Sequence, residues 1–121
     1  MKFIIPFKTP TVNNMYVQFR NLRIKSKISK ELAEKVKQIV LNTKTEIIND
    51  ELEVNITIHS NWYNKNGTIK KRDVANLEKF ITDSIFSNLK EMDDSQIFQI
   101  TLNKIQSEEE FSEVIIEKWI T

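Results

Sequence analysis

KKRDVANLEKFITDSIFSNLKEMDDSQIFQITLNK, residues 70–104, decides the fold and marks where chemistry should be sought. A basic run of Lys70, Lys71 and Arg72 leads into Asp73, a residue type suited to capping a helix. Beyond it Leu77, Phe80, Ile81, Ser84 and Ile85 recur at helical spacing and define a buried face. Asn76, Lys79 and Asp83 occupy a neighbouring stripe of that helix, and Lys79 and Asp83 are spaced for an i, i+4 contact. Asp93 and Asp94 then open a strand in which Phe98, Ile100 and Leu102 alternate with Gln99, Thr101 and Asn103.

Working upstream, Leu52, Val54, Ile56 and Ile58 alternate strictly with Glu53, Asn55, Thr57 and His59, the pattern of a half-buried strand. Asn66 and Gly67 suit a tight turn with positive φ, and with Trp62, Tyr63 and Ile69 they imply a hairpin arm tipped by Lys65. Leu32, Ala33, Val36, Ile39 and Val40 recur at helical spacing after Ser29, which is read as the N-cap of an amphipathic helix. Residues 11–29 have no clean period and read as an extended basic loop with room for a short hairpin. Residues 3–7 form a first strand stopped by Thr9 and Pro10. Downstream, residues 107–113 make an acidic turn, and Val114, Ile116, Lys118 and Ile120 alternate as a last strand. The order β, α, β, turn, α, β, β predicts one α/β domain over residues 1–121, a mixed sheet packed by two main helices.

With 121 residues, 40% of them hydrophobic, the chain can bury one core but not two. It contains no cysteine and a single histidine, His59, so a metal would need oxygen ligands, which favours magnesium, with manganese possible, over zinc. The apolar run at residues 3–7 is too short for a signal sequence and nothing approaches a membrane span, so a cytoplasmic protein with no membrane partner is expected. Net charge is only +1, yet the first 30 residues carry seven basic and no acidic side chains. This lopsidedness suits a nucleic acid approaching an acidic pocket, although a solvated surface also produces it.

Magnesium-dependent phosphodiester chemistry calls for carboxylates on one side of a pocket and a cation to steady the reacting oxygens. Asp73, Asp94 and Lys79 supply those types if the helix and the following strand lie side by side. Each also has a bland reading: Asp73 as a helix cap, Lys79 with Asp83 as a surface pair, Asp93 and Asp94 as a polar turn. A small interaction module docking a basic partner through residues 107–113 is a further alternative.

The order and spacing of the whole set go beyond those pieces. RDVANLEKFITDSI followed by MDDSQI, with Lys104 in the next strand, resembles the signature of the RusA family of Holliday-junction endonucleases, roughly Arg-Asp-x-Asp-Asn-x-x-Lys, a helical aspartate, then Asp-Asp-x-Gln. TPTVNNMY resembles that family's Pro-Ser-Val-Asn opening, and the similarity covers nearly the whole chain. The resemblance implies a magnesium-dependent homodimer that binds branched DNA, the four-way junction, and nicks two opposing strands symmetrically. By position it implies catalytic roles for Asp73, Lys79 and Asp94. Metal contacts would come from Asp73 and Asp94 with Asp93 and Asp83, and support from Asn76 and Lys104.

One position departs from the pattern: Ala75 stands where the family usually has its second aspartate. Three explanations are open. Asp83 or Asp93 completes a reduced ligand set, which the intact remaining motif favours; the protein binds junctions without cutting them; or the sequence is an engineered inactive form. Lys70, Lys71 and Arg72 are expected to guide the phosphate backbone, and Arg20, Arg23, Lys25 and Lys27 to contact a second arm. Trp62 and Tyr63 are read as buried at a sheet edge or interface rather than stacking on bases, and Trp119, Phe7 and Phe98 as packing residues.

Overall fold

In chain order the computed structural model runs β1 (Lys2–Ile5), β2 (Tyr16–Phe19), β3 (Leu22–Lys25), α1 (Lys27–Asn42), β4 (Leu52–Ser60), α2 (Ala75–Phe86), a 3₁₀ turn (Asp94–Gln96), β5 (Ile97–Gln106) and β6 (Phe111–Lys118). It describes residues 1–11, 16–19 and 22–120, with backbone alone over 16–19 and 22–25. Four strands form one sheet in the order β1-β6-β4-β5. β6 runs antiparallel to β1 and β4, whereas β5 runs parallel to β4, so α2 is the crossover of a β-α-β unit. The expected α/β domain with a mixed sheet and two helices is therefore the one observed.

The alternation in β4 explains its central place. Leu52, Val54, Ile56, Ile58 and Ser60 are buried on the helix side, while the intervening residues are half-exposed on the other. Val36 and Val40 of α1 and Leu77, Phe80, Ile81 and Ile85 of α2 close the core over that face, joined by Phe3 and Ile5 of β1 and Val114 and Ile116 of β6. Truncating a fully buried member such as Ile56 to alanine should cost about 2–5 kcal/mol.

Several local expectations shift. α1 begins at Lys27, three residues earlier than a Ser29 cap would give: Ser26 is the cap and accepts a hydrogen bond from the Ser29 N–H, while the buried Ser29 returns its hydroxyl to the Ser26 carbonyl. The basic loop contains a β2–β3 hairpin, and the last strand starts at Phe111. Phe98 is not a packed residue; it is 59% exposed and leans on Trp119 at 5.2 Å between ring centroids. The turn at Gly67 does have positive φ, 86°, and the arm is closed by Lys70 N–H to Trp62 carbonyl and Asn64 N–H to Thr68 carbonyl bonds. Among the described residues no helix is long and apolar enough to cross a membrane.

Candidate active site

α2 and the first residues of β5 border one cavity with the 3₁₀ turn between them, and this seam gathers most of the acidic motif. Asp73 is exposed just before α2. Its Oδ1 accepts the Ala75 N–H at 3.0 Å, so it caps the helix start that Val74 cannot. Lys79 and Asp83 form the anticipated i, i+4 pair at 3.2 Å on the outer side of α2. Glu78, half-buried on another side of the helix, accepts a hydrogen bond from the Thr82 hydroxyl at 2.5 Å.

Beyond α2, Asp93 caps the 3₁₀ turn. Its carboxylate accepts both the hydroxyl and the backbone N–H of Ser95, in that order the causes that hold its pKa below the ordinary carboxylate value. Gln96 completes the box by accepting the Asp93 N–H at 2.8 Å, and its amide donates to the carbonyls of Ile48 and Asp50. The glutamine of the Asp-Asp-x-Gln motif thus anchors this turn to the segment before β4. Asp94 is left projecting, exposed, and borders two cavities. One, of about 250 Å³, is lined by Glu78, Thr82, Asp94 and the first residues of β5; the other, of about 270 Å³, by Asp83, Phe86, Ser87, Asp93 and Asp94.

At the opposite end of the seam stands a stack of cations on an aromatic ring. Trp62 is buried, its backbone N–H donating to Gln106 Oε1 and its indole to the Ile105 carbonyl. The Arg72 guanidinium lies 5.1 Å and the Lys104 ammonium 4.6 Å from its ring centroid. Arg72 also donates to Ser60 Oγ and the Thr9 carbonyl, and Lys104 Nζ donates to the Arg72 carbonyl at 2.5 Å. Both cations therefore fix the loop that presents Asp73.

The structure brings Asp83, Asp93 and Asp94 to one cavity wall and places Asp73 on neither cavity. Asn76 is exposed on the same outer stripe as Lys79. Lys27 and Lys71 are exposed and Lys70 half-buried; Arg20 and the side chains of Arg23 and Lys25 lie outside the described residues. The sequence reading passes over Glu78, although three residues from Ala75 and four from Thr82 is a spacing that puts it on their side of the helix. Among the described residues no three histidine, cysteine or carboxylate side chains are gathered as a metal cluster. The charged side chains that line the two cavities are all carboxylates, and magnesium is commonly held by one or two carboxylates, with waters and substrate phosphates filling the rest of its shell. That donor chemistry fits a hard divalent cation. His59 is no part of it; on the far face of the sheet it stacks on Phe111 at 4.0 Å.

Fold and seam define an α/β protein with carboxylates gathered beside the turn that joins α2 to β5. The family model for the endodeoxyribonuclease RusA matches residues 6–117, and the chain belongs to the RusA endodeoxyribonuclease family, whose members resolve Holliday junctions. No curated protein matches the chain.

Proposed function

We propose that this chain is a homodimeric, divalent-metal-dependent endodeoxyribonuclease of the cytoplasm that resolves four-way DNA junctions by paired symmetric nicks. The observation that carries the reading is Asp94, whose carboxylate has no partner among the described residues and which lines both cavities of the α2–β5 seam, one of them with Asp83 and Asp93. A two-fold junction is naturally met by a two-fold protein.

When bound, magnesium or manganese would acidify an attacking water and offset charge on the scissile phosphate. Asp94 would hold the cation from the turn before β5, and Asp73, at the start of α2, would meet the substrate outside that cavity. Lys79, on the same helix, would exchange Asp83 for the leaving oxygen and balance its charge. Lys70 and Lys71 precede Asp73 and would track the phosphate backbone, with Lys27, Arg20, Arg23 and Lys25 serving a second arm. These contacts add affinity rather than sequence preference, so junction binding should weaken steeply with salt.

The test is a labelled four-way junction beside a matched linear duplex, with magnesium, manganese or chelator. Paired nicks in the junction alone, abolished by chelation, are expected. Asp94→Asn should keep binding and lose nicking by on the order of 10²-fold or more, since a lost metal contact removes several kcal/mol of transition-state stabilisation. Unchanged cleavage by Asp94→Asn would sink the assignment. A second reading, a junction binder that does not cut, is favoured by Ala75 and by the missing three-ligand cluster. It predicts tight binding without nicks, and cleavage switched on by Ala75→Asp.

A further inference from the structure

We infer that Glu78 takes the place of the carboxylate missing at position 75, forming with Asp94 the carboxylate pair of the metal site. This rests on the nuclease reading above. Position 78 is one turn beyond Ala75 on the same side of α2, so a carboxylate deleted from one turn is supplied by the next. Glu78 and Asp94 line the same cavity of about 250 Å³, from the helix and from the 3₁₀ turn before β5 respectively. The Thr82 hydroxyl, 2.5 Å from Glu78 Oε1, orients the carboxylate and leaves its second oxygen for a further partner. No basic side chain is paired with Glu78 among the described residues.

The two carboxylates anticipated for this task are otherwise engaged. Asp83 is neutralised by Lys79 at 3.2 Å and lies more than two turns beyond Ala75. Asp93 is committed to Ser95 and caps its turn. Two carboxylates suffice for magnesium or manganese when the substrate's phosphate and waters supply the remaining oxygens, so the absence of a third acidic ligand is compatible with activity.

The experiment is manganese(II) binding to the intact protein, followed by electron paramagnetic resonance, in wild type, Glu78→Gln, Asp94→Asn and the double variant Ala75→Asp/Glu78→Gln. Thermal unfolding of each confirms that it folds; glutamine keeps an oxygen for Thr82. Glu78→Gln should weaken manganese binding at least about tenfold, because even a supporting partner of a metal ligand is worth that much. It should raise the manganese needed for half-maximal nicking in step, and Ala75→Asp should restore both. Wild-type affinity in Glu78→Gln, with Asp94→Asn impaired, would overturn the role of Glu78 and leave the Asp94 site standing. A wild type with no saturable manganese site at millimolar concentration would overturn both.

Discussion

The two ends of the α2–β5 seam are built on opposite plans. At one end Arg72 and Lys104 are held against Trp62 by ring contacts and by bonds to Ser60, Thr9 and the Arg72 carbonyl, so the charges are fixed and internally satisfied. At the other, Glu78 and Asp94 line one cavity, and among the described residues their carboxylates take one hydrogen bond, from the Thr82 hydroxyl to Glu78. The first arrangement is what stability requires of Arg72, because a partly buried cation is costly unless its donors are satisfied, and the exposed Lys104 adds a brace from outside. The second leaves two like charges on one cavity, which gains nothing for folding and would serve a cation brought from outside. The motif's charged residues therefore divide into braces and ligands, and position in the motif alone does not say which is which.

The largest expected effect tests the braced end. Trp62→Ala removes a buried indole together with the surface on which two cations lie, and should lower unfolding free energy by about 3–5 kcal/mol in urea denaturation. Glu78→Gln, by contrast, should stay within about 0.5 kcal/mol of wild type, as substitutions outside the core usually do. If the two variants lose comparable stability, the division between braces and ligands fails.

Much of this was legible in the chain. Strict alternation in 52–59 marked the central strand because one face of it is wholly buried, and a period of 3.6 with a different set of apolar residues marked both helices. Asn66-Gly67 marked the turn because only a residue free of Cβ strain adopts positive φ easily. What escaped depends on contacts distant in sequence. Ser26 and Ser29 are both competent caps, and only the burial of Ser29 against the fold decides between them. Arg72 reads as a phosphate guide until Ser60 and Thr9, 12 and 63 residues away, are found on its guanidinium. Glu78 escaped for another reason: its partner in the cavity, Asp94, comes from the next element, and helical spacing from Ala75 alone was too weak a signal to single it out.

A smaller effect sharpens the same comparison. Lys104→Met keeps an apolar stem over Trp62 but removes the donor to the Arg72 carbonyl, one residue before Asp73. A charged hydrogen bond and an exposed cation–π contact together suggest a cost of about 1 kcal/mol. Nicking should fall more than that, on the order of tenfold, because a displaced loop misplaces Asp73. Manganese affinity should hold, since Glu78 and Asp94 are untouched. Equal losses in metal affinity and nicking would move Lys104 from the braces to the ligand side.

The smallest effect concerns Asp93, which, like Asp73, makes the contacts of a cap. Ser95 donates to its ionised carboxylate, first from the hydroxyl and then from the backbone, which lowers its folded pKa beneath the ordinary value. A carboxyl shifted in that direction contributes stability that is fully present above the ordinary carboxylate range and disappears as pH falls through the lowered value, below about pH 4. Asparagine is nearly as good a cap and does not titrate there. Asp93→Asn should therefore unfold at nearly the wild-type urea midpoint at neutral pH and lose less than wild type on going from pH 5 to acid. Parallel acid profiles would show that Ser95 does not favour the charged form. A neutral-pH loss of manganese affinity in Asp93→Asn, with stability unchanged, would carry Asp93 across the divide, because a cap has no reason to hold a metal and a ligand has no reason to hold the turn.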